Sequence, residues 1–204
     1  MLFRSHLSLS SLQFTAPPVQ LSGSVEADLQ DSMPLTLDLN WLYTGPLLEG
    51  FEQASGELRV EGDLNRFRLN HELITPAQIS SRGELEQNLL KSESSERRFE
   101  LNHSIDPQVL SSASLAGGRR LRIDSAQITT QGSFDAVRFS GDASITAEDP
   151  LGQIIVPPLD LQWATHWQGQ RLEVETLMVT SATGRIAVDG MLDWQDGFSV
   201  DAHL

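Results

Sequence analysis

Residues 56–69 read Gly-Glu-Leu-Arg-Val-Glu-Gly-Asp-Leu-Asn-Arg-Phe-Arg-Leu. Leu58, Val60 and Leu64 share one parity, and Phe67 and Leu69 share the other. Alternation in steps of two predicts a half-buried strand. The phase flips at Asn65-Arg66, as a two-residue hairpin loop requires, which sets Leu64 opposite Phe67. In that register Gly62 faces Leu69 and Leu58 faces Leu73. A strand glycine packs little by itself, so a large apolar neighbour is expected to cover it.

The same grammar runs through the chain. Leu7 and Leu9, then Leu12 and Phe14, alternate in two phases around Ser10-Ser11, and Pro17-Pro18 ends the run before Val19, Leu21 and Val25 resume it. Leu35, Leu37, Leu39 and Trp41 fall on one face. Leu47, Leu48 and Phe51 fit either a capping helical turn or a continued strand. Residues 84–98 are the least decided, with a weak subdivision expected near 91–98. Phe99, Leu101, His103 and Ile105 alternate again, Pro107 ends them, and Gly117-Gly118 marks a turn. Ala126, Ile128, Gly132 and Phe134 take one parity, and Val137, Phe139, Ala143 and Ile145 the other. A flip at Asp135-Ala136 would set Gly132 against Phe139. Gly184, Ile186, Val188, Gly190 and Leu192, a longer turn from Asp193 to Gly197, and Phe198 to Leu204 close the chain.

Two blocks recur in the same order at nearly the same separation. Leu-Asp-Leu-[Asn/Gln]-Trp stands at 37–41 and 159–163, and Gly-x-[Leu/Ile]-x-Val-x-Gly-x-Leu at 56–64 and 184–192. A degenerate repeat of strand blocks predicts stacked units, each burying its face only against neighbours. The expectation is an all-β chain: one long antiparallel sheet of hairpins over residues 1–204, as a segment of a longer array.

Composition narrows the partners. Asp and Glu number 28 against 14 Lys and Arg, for a net charge of -14. That field repels phosphate backbones and anionic membrane surfaces, so no nucleic-acid partner is expected. Cysteine is absent, which fits a thiol-averse compartment such as a bacterial periplasm, though many cytosolic proteins also lack it. No run approaches the ~20 apolar residues of a spanning helix, and Met1 to His6 does not read as a secretory signal.

Catalytic grammar is missing as well. His6, His71, His103, His166 and His203 include no pair at metal-ligand spacing. No nucleophile elbow, Walker loop or dinucleotide-binding glycine set occurs. Gly117-Gly118-Arg119-Arg120 reads as a hairpin turn before an anion cradle. Asp38 and Asp160 stand between leucines and so point to the opposite, solvent side. Trp41 and Trp163 continue apolar faces; with Trp167 and Trp194 the competing reading is a sugar platform. The expectation is no enzyme, no cofactor and no metal.

What remains is the apolar face: Leu58, Val60, Leu64, Phe67 and Leu69, with Ile128, Phe134, Val137, Phe139, Ile186, Val188 and Leu192. It would either close into a β core or curl into an open trough whose inner wall holds acyl chains or another chain's strand. Patterning does not separate these readings.

The run from Trp41 through Phe51-Glu-Gln-Ala-Ser-Gly56-Glu-Leu-Arg-Val-Glu-Gly62-Asp-Leu-Asn-Arg-Phe67 to Pro76 and Gly83-Glu-Leu resembles the repeat region of the TamB family, the translocation and assembly module subunit of Gram-negative bacteria. The Pro-Leu-Asp-Leu-Gln-Trp163 and Gly184–Leu192 blocks are similar, and AsmA-like relatives share much of the pattern. The resemblance implies a β-taco with a hydrophobic inner surface, crossing the periplasm from an inner-membrane anchor. It also implies a TamA-like outer-membrane β-barrel as partner of the full-length protein, and phospholipid or nascent outer-membrane protein such as an autotransporter as cargo. It carries no catalytic residues. The anchoring helix of a full member is not seen in this segment, so direct membrane insertion and barrel docking are not expected of it. The other classes kept open are a secreted structural or adhesive β-solenoid with a dry core, and a carbohydrate-active β-sandwich using Trp163 or Trp167.

Overall fold

The computed structural model describes residues 5–29, 32–48, 51–86, 97–111, 120–133, 135–149, 151–194 and 199–203. Among them the chain is all strand: β1 (Ser5–Ala16), β2 (Val19–Leu29), β3 (Leu35–Leu48), β4 (Phe51–Gly62), β5 (Arg66–Thr75), β6 (Ile79–Glu86), β7 (Arg98–Ile105), β8 (Gln108–Ser111), β9 (Arg120–Gly132), β10 (Ala136–Glu148), β11 (Ile154–Gln168), β12 (Arg171–Ser181), β13 (Gly184–Asp193) and β14 (Ser199–His203). The hydrogen-bonded order follows the sequence from β1 to β14, with β8 set aside on β9. The pairings given by register are antiparallel between chain neighbours, as short turns dictate. Two compact units, Met1–Leu101 and Asn102–Leu204, divide within β7; each is described by itself.

Irregularities fall where the sequence changes phase. The ladder of β1 with β2 shifts between Leu9 and Leu12, absorbing the Ser10-Ser11 flip as a bulge. Pro17 and Pro18 form the turn between those strands, across a cis bond. The residues around Leu47, Leu48 and Phe51 continue β3 and open β4 rather than forming a helical turn.

The hairpin registers differ from the sequence expectation by two residues. Gly62 pairs with Phe67, not Leu69, and Leu58 pairs with His71, not Leu73. The loop is three residues long because Asp63 organises it. Its carboxylate accepts from the backbone N–H of Asn65 at 2.8 Å and of Arg66 at 3.1 Å. Leu64 therefore lies in the loop, off the ladder, where its N–H donates to the Ser32 carbonyl at 3.1 Å. The hairpin of β9 and β10 repeats the device with Ser133, whose hydroxyl accepts from the N–H groups of Asp135 and Ala136 at 3.3 Å each. Gly132 accordingly pairs with Val137, and Phe139 with Thr130. Gly62 and Gly132 enter these loops at φ 157° and 149°, the edge of a region other residues rarely adopt. Phe134, Gly117-Gly118 and most of the 84–98 stretch lie outside the described residues.

Among the described residues of each unit, the extensive backbone contacts run between ladder neighbours and show no second layer over the sheet. The buried apolar side chains are small or few: Ala27, Ala54, Ile123, Ala126 and Val137. A closed β core would bury its leucines and phenylalanines, and the described residues form none.

Candidate functional site

Register alone assembles the site. In the first unit, successive ladders set Leu7 beside Ala27, then Leu35, Gly62, Phe67 and Leu85. The next row is Leu9, Val25, Leu37, Val60, Leu69 and Gly83, and the one beyond is Leu12, Gly23, Leu39, Leu58, His71 and Ser81. A fourth joins Phe14, Leu21, Trp41, Gly56, Leu73 and Ile79. Paired residues share a face, so one side of this unit is almost wholly apolar.

The second unit repeats the arrangement. Ala126, Ala143, Leu161, Val179 and Ile186 form one row, and Ile128, Gly141, Trp163, Leu177 and Val188 the next. Phe139 lies with Thr130, Thr165 and Val174, and Val137 with Trp167, Leu172 and Leu192. Of the sequence-derived candidates, Leu58, Val60, Phe67 and Leu69 thus share the face of the first unit. Ile128, Val137, Phe139, Ile186, Val188 and Leu192 share that of the second. Leu64 leaves the ladder, and Phe134 lies outside the described residues.

The opposite face is charged and, apart from the end of β10 at Thr146 and Glu148, solvated. Arg59 bridges Glu61 at 2.6 Å and Asp38 at 3.7 Å. Arg66 and Arg68 both reach Glu84; its hydrogen bond from Arg66 holds this exposed carboxyl below the ordinary carboxylate range. Arg138 pairs with Glu175. Arg122 draws Asp124 to 2.9 Å and the buried Glu148 to 2.8 Å, and Thr146, fully buried, donates to Asp124 at 3.1 Å. Two depressions of about 340 and 280 Å³ sit among side chains of this polar side, such as Gln13, Gln20, Asn40, Glu57 and Asn70. Among the described residues no group of His, Cys, Asp and Glu is placed to hold a metal ion.

Exposure alternates strictly along β5, where Phe67, Leu69, His71 and Leu73 are half-buried and their neighbours exposed. Among the described residues nothing packs over them, and these side chains are shielded by one another. The glycines let adjacent strands approach closely on this face. A Cβ on Gly23, Gly56, Gly62, Gly83, Gly132 or Gly141 would stand only 1.9–2.4 Å from a carbonyl oxygen of an adjacent strand. At each of these points the neighbouring strand leans toward the apolar side, which only a glycine permits.

Two tryptophans use this space. The indole of Trp41 lies over Gly56, with ring carbons 2.9 Å from where its Cβ would be, and that of Trp163 lies over Gly141 at 2.7 Å. Trp41 reaches past β4 to β5, stacks on His71 with centroids 5.7 Å apart, and donates its Nε1–H to His71 Nε2 at 3.1 Å. That bond requires Nε2 to be unprotonated. Burial on the apolar face also holds His71 below the usual imidazole range.

A family model described as TamB, N-terminal domain, matches residues 1–204. The chain belongs to the TamB N-terminal domain family. No curated protein and no solved structure matched it. Membership places the chain in a TamB-related role in outer-membrane assembly or lipid transport, in a family of non-enzymatic subunits that are anchored in the inner membrane and span the periplasm. No helix among the described residues is long and apolar enough to cross a membrane.

Proposed function

We propose that the apolar face of this TamB domain is a wall of a periplasmic passage, along which phospholipid acyl chains lie on their way to the outer membrane. The observation that carries this reading is the set of apolar rows continuing across strand after strand in each unit, with no layer packed over them among that unit's described residues. Hydrocarbon is the occupant such a surface suits. Backbone N–H and C=O groups inside the sheet are spent in the ladders, so the face offers side-chain carbon and almost no hydrogen bonds. An acyl chain loses nothing there, whereas a polypeptide lying flat would leave its own backbone polar groups unmet. The acidic, ion-paired opposite face keeps the sheet hydrated. A TamA-like barrel would act as the receiving partner of the full-length protein.

The experiment replaces Phe67, Phe139 and Val188 by Asp in the full-length protein and measures lipid photocrosslinking to the domain. Lost crosslinking in a folded variant supports the lipid wall. Undiminished crosslinking refutes it.

A further inference from the structure

We infer that Trp41 and Trp163 are contact plates for the acyl chain, seated at a fixed height by Gly56 and Gly141, and that Trp41 is closed to water-like partners by His71. The inference rests on the lipid-wall reading and adds to it the residues that set how the chain is touched. Two independent units carry the same geometry. In the first, a tryptophan of β3 lies over a glycine of β4; in the second, a tryptophan of β11 lies over a glycine of β10. The two differ in sequence direction, since Trp41 precedes its glycine and Trp163 follows it. Simple repetition of a motif therefore does not account for both.

The seat has a mechanical consequence. An indole standing upright on a strand would project into the space above the sheet and obstruct it. Over a glycine it can settle to within van der Waals contact of the backbone, turning the widest side chain available into floor. The space above Gly56 and Gly141 is closed to any side chain, since a β-carbon there would meet a carbonyl of the adjacent strand at 2.3 or 2.4 Å and indole ring atoms at 2.9 or 2.7 Å. The indole also carries one polar group, its N–H, which on a hydrocarbon path must be satisfied or it costs free energy. Trp41 satisfies it internally, through His71 Nε2. Leu58 and Ser81 flank His71 in its row, and no charged side chain of β4, β5 or β6 shares that face beside it. The result is a broad carbon surface with its only donor turned away from the chain it faces.

The test uses full-length protein with its tryptophans replaced by Phe save one, Trp41 or Trp163, and, as a control on the charged face, the same background carrying Glu57→Trp. Each protein is loaded from vesicles of phosphatidylethanolamine and phosphatidylglycerol whose acyl chains carry bromine, and indole emission is compared with loading from unbrominated vesicles. Trp41 and Trp163 are expected to lose most of their emission; the Glu57→Trp control is expected to keep it. A photoreactive residue at Leu58, measured in parallel, separates the two ideas. Lipid crosslinks at Leu58 with Trp41 and Trp163 as unquenched as the Glu57→Trp control would overturn the plates and leave the wall standing. Neither crosslinks nor quenching would overturn both.

Discussion

Replacing Ile186 by Asp places a charge on the apolar face, and the uncovered sheet predicts a small cost to folding. Ile186 keeps 56% of its surface in water, whereas Val137, on the same face, keeps 7%. Full burial of such a side chain stabilises by roughly 1.5–3 kcal/mol. Ile186 realises less than half of that, so its removal costs about 1 kcal/mol. The poor strand preference of Asp adds about 1 kcal/mol, and the new carboxylate reaches water without desolvation. The sum is about 2 kcal/mol. Val137→Asp loses nearly the whole transfer term and buries an unpartnered charge, for about 4 kcal/mol or more. Urea titration followed by far-ultraviolet circular dichroism reads both. The reasoning is refuted if Ile186→Asp destabilises as much as Val137→Asp, because Ile186 would then lie under a layer.

Two further consequences concern polar groups. Arg122 is 38% exposed and Glu148 only 7%, so Arg122→Met strands a buried carboxylate; solvent screening of the arginine reduces the cost from the buried-pair range to about 2 kcal/mol. Adding Glu148→Leu should recover part of it, and a double-mutant cycle showing no coupling would exclude the pairing. His71 has its folded-state pKa lowered by burial, so the unfolded chain takes up the proton first. Its contribution to stability is present above the ordinary imidazole pKa of about 6.5 and is lost as pH falls through the lowered folded value. Between about pH 7.5 and 5 the native protein should lose more stability than His71→Leu; equal losses would show that His71 is not desolvated.

The strands were legible because one face is apolar and the other is not, and a period of two then has a single explanation. Leu35, Leu37, Leu39 and Trp41 needed no more than that. The change of phase in β1 was equally plain, since the parity of Leu9 and Leu12 differs, but only the ladder shows that it is a bulge within one strand. The hairpin registers were not legible from apolar parity, because Leu64 imitates a ladder position while sitting in a loop. The signal was present in polar atoms instead. Asp63 and Ser133 stand directly after Gly62 and Gly132, and each turns its oxygen onto the loop N–H groups. β8 was missed because four residues are too few for a period to declare itself. The clasp of Trp41 on His71 spans β3 to β5, so no local pattern could announce it; the glycine between them was visible, but its purpose was not.

The account stands on apolar rows that meet lipid and a charged side that meets water. Its most direct measurement is a photoreactive residue placed in turn at Glu57, Leu58, Arg59, Val60 and Glu61 along β4 of the full-length protein in cells. Phospholipid crosslinks are predicted at Leu58 and Val60 and not at Glu57, Arg59 and Glu61, a period of two matching the strand. Crosslinks of equal strength at all positions, or lipid found only on the charged side, would contradict it.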